Sequence, residues 1–352
     1  MPAPFVHDFT DSTFEMRDLL GSKGAGLAEM THLLGTDLVP PGFTVTTEAC
    51  SAWLAAGRAV PPAIGDEIDS ALHRLEAATG RRLGDRDRPL LLSVRSGGRI
   101  SMPGMMDTVL NIGLTDATVD GLAIETGDER LAWDSFRRLI QMYTHVVWGV
   151  PAERFEGEIE SVKLQTGAAD DHDLSVDALR ELTSRFRLIH GEAAGHPFPQ
   201  SPAVQITYAI GAVFASWHGE RASAYRRINK IPDQWGTAAT VQRMVFGNMS
   251  EASGSGVAFS RNDVTGAPDP TGDWLPNAQG EDVVSGSRNT LTLEDMQLTV
   301  PEAHERLLEI LEILEHRFGD IQDCEFTVED GHLWLLQTRT AKRPAQASVR
   351  FA

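Results

Sequence analysis

The stretch from Asp323 to Arg339 carries the residue types and spacing of a site for a hard metal ion and a phosphate group. Polar and apolar side chains alternate on both sides of Glu329-Asp-Gly331, a pattern that predicts a β-hairpin with a three-residue loop. The expected register gathers four polar side chains on one face of the hairpin: Asp323, Glu325, Gln337 and Arg339. Carboxylate and amide oxygens suit Mg²⁺, and a neighbouring guanidinium suits the phosphates that share the metal.

The same register makes a second prediction about the opposite face of the hairpin. Six side chains are expected there: Cys324, Phe326 and Val328, opposite Leu336, Trp334 and His332. The alternative is an ordinary hairpin whose charges simply face water. A slip of one residue would move Gln337 and Arg339 to the other face, so the observed pairing decides this hypothesis.

A glycine-rich turn near the N-terminus is a second candidate for anion binding. Gly21-Ser-Lys-Gly-Ala-Gly26 opens a predicted helix, where backbone N–H groups face outward and Lys23 adds a positive charge. The spacing is not that of a Walker A loop. The alternative is an ordinary turn.

Two further loops carry polar residues next to predicted strands. Ser93–Asp107 places Arg95 and Arg99 in a glycine-rich loop directly after an apolar strand, and an arginine fork suits phosphate oxygens. Asn277–Asp282 offers amide and carboxylate oxygens, with Glu281 among them, to a hydroxyl group or a hard cation. Surface ion pairing and turn chemistry are the respective alternatives.

The elements that must position these residues alternate between strand and helix. Residues 1–111 and 201–245 mix short apolar runs with helical periodicity and form a predicted first α/β lobe, whereas residues 112–200 read as a helical insertion. Residues 246–341 form a predicted second lobe that contains the hairpin, and residues 342–352 read as a tail.

Composition excludes several classes of protein. The 352 residues carry 31 basic and 50 acidic side chains, a net charge of −19, which disfavours binding to nucleic acid or to an anionic membrane surface. Only two cysteines are present, too few for a disulfide framework, and the sequence shows neither a signal peptide nor a membrane-length apolar run. We expect a cytoplasmic protein that holds phosphates through a few placed cations.

The motifs occur in the order found in a known family. They are Gly21–Met30, Pro41–Thr47, Ser93–Asp107, Met244–Asn248, Asn277–Asp282 and Asp323–Arg339. Together they resemble the nucleotide-binding domain of pyruvate, phosphate dikinase over nearly the whole chain. The resemblance implies an α+β or α/β, ATP-grasp-like fold of two lobes with a helical insertion, with ATP as substrate and Mg²⁺ as cofactor.

The resemblance also implies roles for individual residues. Lys23 and Arg95 match phosphate-binding positions of the family, and Arg339 matches a residue that meets the γ-phosphate. These three are the expected catalytic residues. Glu325 and Gln337 match the metal-facing pair.

Five further positions are expected to contact the nucleotide or support the metal site: Gln242, Met244, Val245, Glu281 and Asp323. The adenine slot is expected along Gln242–Val245. Glu281 is expected near the ribose or the metal, and Asp323 beside the metal site.

The sequence also departs from the family pattern. Gly98 and Ile100 stand where the family usually has alanine, and Ser285–Thr290 replaces an expected Gly-x-Arg-Thr-Pro. None of the eleven histidines lies in the Gly-Gly-x-x-Ser-His context of the family's phosphate carrier, and the family's swivelling and pyruvate-binding domains are not found in the sequence.

These observations lead to two hypotheses about function. The first is a Mg-ATP-binding phosphotransferase module of the pyruvate, phosphate dikinase type that passes phosphoryl groups from ATP to a histidine on a separate chain. Its expected partners are ATP, inorganic phosphate and a phosphohistidine-domain protein. The second is a catalytically silent ATP-binding regulatory or scaffold protein.

Overall fold

The computed structural model describes residues 4–285 and 289–351, and it divides into two compact units. The first unit comprises Met1–Asp8, Met16–Gly21 and Pro41–Met244. The second comprises Phe9–Glu15, Ser22–Pro40 and Val245–Ala352. Residues 9–15 and 22–40 therefore group with the second unit, although they precede residue 111 in the chain.

Each unit is built on one five-stranded antiparallel sheet. The strands of the first unit are β1 (Val6–Asp8), β2 (Gly42–Val45), β3 (Leu92–Gly97), β4 (Thr108–Ile112) and β5 (Ala238–Arg243), in the order β1-β2-β5-β3-β4. The strands of the second are β6 (Gly254–Phe259), β7 (Thr271–Pro276), β8 (Leu291–Thr292), β9 (Gln322–Glu329) and β10 (His332–Thr340), in the order β10-β9-β6-β7-β8. The mixed α/β class predicted from the sequence is confirmed.

Eight helices belong wholly to the described part of the first unit. They are α2 (Thr47–Ala55), α3 (Pro62–Thr79), α4 (Val119–Thr126), α5 (Glu129–Trp148), α6 (Ala152–Thr166), α7 (Val176–Ala194), α8 (Pro202–Ser216) and α9 (Glu220–Ile228). Local signals explain their ends. The Ser175 side chain caps the start of α7, and Gly195 ends that helix in the left-handed conformation.

The described residues of the second unit form four more helices, and one further helix, α1, begins in the residues of the first unit and ends in those of the second. The four are α10 (Gly280–Ser285), α11 (Leu293–Thr299), α12 (Pro301–Phe318) and α13 (Ala345–Phe351). Helix α1 (Arg17–Leu34) is broken at Gly21, whose φ of 70° and ψ of 169° are not helical. Residues 345–351, expected as a tail, therefore form a short helix.

Apolar side chains alternate along the strands and form the cores. In the first unit, Phe43, Val94 and Val241 point to one face of the sheet and are fully buried. In the second, Phe326 stacks on Trp274 at 5.9 Å between ring centroids, within a cluster completed by the apolar side of α12. No helix among the described residues is long and apolar enough to cross a membrane.

Candidate functional site

The hairpin of β9 and β10 turns over two residues, not three. Asp330 and Gly331 both have positive φ angles, 50° and 82°, and Glu329 pairs directly with His332. Two residues of positive φ match the twist of the flanking strands, which is why Asp-Gly favours this tight turn. The predicted three-residue loop is therefore wrong.

A β-bulge at Leu336 nevertheless restores the predicted grouping of polar residues. Before the bulge Leu335 pairs with Phe326, and after it Gln337 pairs with Glu325. The extra residue shifts the register by one, so side chains beyond it return to the face predicted for them. The gathering of Asp323, Glu325, Gln337 and Arg339 on one face is confirmed.

The residues between the turn and the bulge occupy the faces opposite to those predicted. Trp334 pairs with Thr327, and His332 with Glu329, so both lie on the polar face and not beside Cys324. Leu333 takes the core face, where it is 3% exposed. The error arises because the tighter turn changes which residues stand opposite one another.

Asp323 and Arg339 form an ion pair on this face. They are directly opposite in the register, and Arg339 Nε donates a hydrogen bond of 2.7 Å to Asp323 Oδ2. Asp323 is only 6% exposed, and its burial raises the pKa of the carboxyl group, an effect that Arg339 opposes and the charges of Glu325 and Asp263 reinforce. The second oxygen, Oδ1, is buried without a hydrogen-bond partner.

The donor set on this face fits Mg²⁺. Glu325 and Gln337 stand opposite each other and supply a carboxylate and an amide oxygen, and the unbonded Oδ1 of Asp323 lies on the same face. Within the described ranges, no group of three or more His, Cys, Asp or Glu side chains is arranged to hold a metal ion. Magnesium needs no such cage, because it usually takes one or two protein carboxylates and completes its shell with water and substrate phosphates.

Lys23 lies in the first turn of the helical segment that follows the break at Gly21. Three residues further along, the helix contacts β10: a Cβ on Gly26 would lie 3.4 Å from the carbonyl oxygen of Thr338. Thr338 stands between Gln337 and Arg339, so this helix lies against the part of β10 that carries them. The helix start and the polar end of the hairpin belong to the same unit.

The segment that leads into α10, the helix that carries Glu281, is held by hydrogen bonds of its backbone N–H groups. Ala278 N donates to Gly247 O at 2.9 Å, and Gln279 N donates to the Asp282 side chain at 3.1 Å. A Cβ on Gly247 would lie 2.3 Å from Ala278 O, so only glycine permits this approach. The segment after Val245 and the segment that leads into α10 are thereby brought together, with Glu281 half-buried in α10.

Glu329 is a residue of this region that the sequence analysis did not single out. Its Oε1 accepts a hydrogen bond of 2.8 Å from Phe246 N, which ties the segment after Val245 to the hairpin. An acidic residue next to a turn gives little signal in the sequence, because such positions are usually solvated. Residues 286–288, within the divergent Ser285–Thr290 segment, lie outside the described residues.

Three of the remaining candidates, Arg95, Gln242 and Met244, lie in the first unit. Arg95 is half-buried in β3, and Gln242, 2% exposed, pairs with Ser93 across β3 and β5. Met244 follows β5 and donates its N–H to Leu91 O at 2.8 Å. Arg95 and Gln242 lie in one sheet and Met244 directly follows it, whereas Val245 belongs to the second unit.

A polar row on this sheet was also missed by the sequence analysis. Thr44 pairs with Thr240, which pairs in turn with Arg95. The two threonine hydroxyl groups are buried without hydrogen-bond partners. Threonine is common in strands, so its presence alone did not distinguish this face.

Comparison with known proteins places the chain in a family. The pyruvate phosphate dikinase AMP/ATP-binding domain matches residues 57–297. Pyruvate, phosphate dikinase of Clostridium symbiosum is 48% identical over 351 residues, 99% of this chain and 40% of that protein. The Rhizobium meliloti (strain 1021) enzyme is 47% identical over 366 residues, with the same coverage, and pyruvate, phosphate dikinase 2 of Zea mays is 49% identical over 337 residues, 96% of this chain and 38% of that protein.

The chain thus spans about two fifths of the length of these relatives. The family match covers both the strand that carries Arg95 and the helix that carries Glu281, whereas the matches to the relatives extend over the hairpin as well. The chain belongs to the pyruvate phosphate dikinase AMP/ATP-binding domain family.

Proposed function

We propose that this chain is a Mg-ATP-dependent phosphotransferase module that passes phosphoryl groups from ATP to a histidine on a separate chain. The observation that carries the proposal is the polar face of the hairpin, where Glu325 stands opposite Gln337 and Asp323 opposite Arg339. This face combines hard oxygen donors with a guanidinium held by hydrogen bonding. Membership of a nucleotide-binding family supports the choice of ligand.

Different residues of the chain would bind the metal and orient the group that meets the phosphate. Glu325 and Gln337 would hold Mg²⁺, which supplies positive charge to the phosphate oxygens when bound. Asp323 accepts a hydrogen bond from Arg339 Nε and so fixes the direction of the guanidinium. The other N–H groups of Arg339 can then meet the charge of a phosphate without reorganisation.

Two further cations would act on the phosphates. Lys23 combines its ammonium with the N–H groups at the start of a helix, an arrangement that binds anions. Arg95 adds a guanidinium from β3. Gln242, Met244 and Val245 would border the adenine, and Glu281 would approach the ribose or the metal.

The histidines of this chain support the proposal of an acceptor outside it. None of its eleven histidines lies in the Gly-Gly-x-x-Ser-His context of the family's carrier. The buried His190 is enclosed by aromatic rings, so it is not placed to receive a phosphoryl group. A phosphohistidine-domain protein is the partner that fits this requirement.

Phosphorus NMR tests the proposal directly. The purified chain is mixed with ATP and Mg²⁺, first alone, then with inorganic phosphate, and then with a protein carrying Gly-Gly-x-x-Ser-His. We expect ATP signals to broaden at the first step. AMP should form only when the histidine protein is present, because the β- and γ-phosphoryl groups then leave ATP together for the histidine. Broadening without AMP under every condition would overturn transfer and favour the silent ATP-binding protein.

Variants identify the residues responsible. Arg339→Lys keeps the positive charge but removes the fork, and we expect transfer to fall by about two orders of magnitude while ATP still binds. Glu325→Gln should weaken the dependence of ATP binding on Mg²⁺. Glu302→Gln, a change on the exposed side of α12, is the matched control and should leave both unchanged.

A further inference from the structure

The loop between β3 and β4 is anchored through methionine side chains. Met102 is 5% exposed and belongs to a buried cluster with Trp217, Ala222 and Ile231. Met105 and Met106 are half-buried and pack against the same cluster. These three methionines, the loop methionines below, hold the centre of a loop whose tip, Ile100, is 44% exposed.

The surface beneath the loop methionines is fixed by hydrogen bonds. Trp217 Nε1 donates to Asp233 O at 2.8 Å, and Arg226 donates to Trp217 O and to the Asp233 carboxylate. The Arg226 guanidinium lies 4.3 Å from the centre of the Trp217 ring. These hydrogen bonds hold Trp217, which forms with Ala222 and Ile231 the surface called the platform below. The platform is apolar, so it suits a thioether.

The two ends of the loop have polar anchors, whereas its centre depends on the methionines. Arg17 Nε donates to Arg99 O at 3.0 Å, and Asp107 N donates to Ser216 Oγ at 3.4 Å. Between these points, Met105 N donates a hydrogen bond to Met102 O, within the loop itself. Packing of the three methionine side chains on this cluster thus helps to hold the central turn.

We infer that Met105 and Met106 are oxidation sites whose conversion to sulfoxide releases this loop. In the reaction with a peroxide, a lone pair of the thioether sulfur attacks one peroxide oxygen and the O–O bond breaks. With hydrogen peroxide, the sulfur loses two electrons and becomes the sulfoxide, and the other oxygen leaves as water. The product is polar and no longer suits the apolar platform.

Exposure separates these two sites from the buried methionines, and their position in the loop separates them from the other half-buried ones. Met30 and Met296 are completely buried, and Met102 is nearly so. Peroxide reaches half-buried sulfur atoms first, because oxidation follows access. The consequence for nucleotide chemistry rests on the proposed function: the loop directly follows the strand that carries Arg95, so its release would lower phosphoryl transfer.

The experiment treats the whole chain with hydrogen peroxide and follows three quantities. Peptide mass spectrometry gives the order in which methionines gain oxygen. Trypsin cleavage after Arg99 reports release of the loop, and phosphoryl transfer is measured in the same samples. We expect Met105 and Met106 to be oxidised before Met30, Met102 and Met296, with cleavage accelerated about tenfold, since each lost sulfur contact and the new polar group shift the loop equilibrium in the same direction.

Variants separate release of the loop from general damage. Met105→Leu/Met106→Leu keeps the apolar contacts but cannot form sulfoxide, so peroxide should no longer accelerate cleavage after Arg99. Met249→Leu removes a half-buried methionine of the second unit and is the matched control, with the same peroxide response as the wild type.

Each variant is compared with itself before and after treatment. Equal acceleration in the double variant, or oxidation of Met105 and Met106 without faster cleavage, would overturn the inference. Loss of cleavage protection with unchanged transfer would overturn only the link to nucleotide chemistry. Absence of transfer in the untreated wild type would instead count against the proposed function and leave the structural test intact.

Discussion

At the scale of single residues, the pair of Asp323 and Arg339 illustrates how a site charge is stabilised. Asp323 is 6% exposed, and burial alone would favour its neutral form. The hydrogen bond of 2.7 Å from Arg339 Nε opposes that tendency. The arginine therefore serves the fold and the proposed chemistry together.

We predict that Arg339→Met lowers the free energy of unfolding by about 1–3 kcal/mol at neutral pH, because it leaves a buried carboxylate without its cation. The folded variant then holds the Asp323 proton more tightly than the unfolded chain does. The difference in unfolding free energy between the variant and the wild type should therefore become smaller as pH falls. Urea denaturation at several pH values measures both effects. Arg306→Met, which breaks an exposed pair with Glu309, is the control and should cost less than about 0.5 kcal/mol.

A second residue-scale prediction concerns the break in α1. A Cβ on Gly21 would lie 1.9 Å from the carbonyl oxygen of Gly97, and φ is 70°. We expect Gly21→Ala to destabilise the chain by more than about 2 kcal/mol, since strain and a backbone clash combine. Gly35 has a φ of 86° and open space around it, so Gly35→Ala introduces backbone strain without a clash. It should lower the free energy of unfolding by about 1 kcal/mol. Equal thermal shifts would contradict this account.

At the scale of elements, the hairpin shows how one extra residue controls which side chains share a face. The tight turn and the bulge at Leu336 act together: without the bulge, Gln337 would stand opposite Cys324. Bulges that re-aim side chains are common beside functional sites.

Changes in strand length test this geometry. Deletion of Leu336 removes the bulge and keeps Gln337 opposite Glu325, so we expect a folded protein with a modest loss of stability. Insertion of one alanine after Leu336 would turn Gln337 and Arg339 towards the core, which should prevent stable folding of the second unit. Circular dichroism during heating distinguishes the two. A deletion as damaging as the insertion would refute the proposed role of the bulge.

Helix α7 provides a prediction about pH. His190 is fully buried, its Nδ1 lies 3.0 Å from Thr144 Oγ1, and burial lowers its pKa from 6.5 to about 4, with a smaller contribution from His196. The unfolded chain therefore binds a proton at a higher pH than the folded chain does. Stability from this group is complete above pH 6.5 and is lost as pH falls towards 4, by up to about 3 kcal/mol.

Denaturation between pH 7 and 4 checks this expectation. His190→Gln should remove most of the pH dependence assigned to this site, because glutamine is uncharged over the whole range. His73→Gln, a change on an exposed part of α3, is the control and should leave the profile unchanged. A wild-type profile that persists in His190→Gln would place the dependence elsewhere.

At the scale of the whole molecule, each compact unit has its own sheet and its own core. Phe326 is buried in the second unit against Trp274, and Phe43 is buried in the sheet of the first. A cavity left by a large-to-small substitution first destabilises the element that loses contacts with the removed side chain.

Hydrogen exchange tests this division. We expect Phe326→Ala to accelerate amide exchange mainly in β6, β9 and β10, and Phe43→Ala to do so mainly in β2 and β5. Each change should cost about 3–5 kcal/mol of local stability. Uniform acceleration across both sheets in either variant would show instead that the two cores open as one cooperative unit.

The sequence by itself determined the class of the fold, the family and the polar grouping on the hairpin. These features depend on local periodicity, turn residues and ordered motifs, as in the alternation around Asp330-Gly331. It also predicted the helices after β4, because their apolar residues recur at helical spacing. The family assignment rests on the same printed residues, and comparison with known proteins confirmed it.

Only the tertiary structure decided the details that depend on contacts distant in sequence. The bulge at Leu336 and the placement of Trp334 on the polar face follow from pairing of β10 with β9, which no local propensity encodes. The grouping of residues 22–40 with the second unit depends on packing against strands some 300 residues further along, as does the contact of Gly26 with Thr338. Sequence patterns indicate which faces of an element must be buried, whereas tertiary packing determines which other elements bury them.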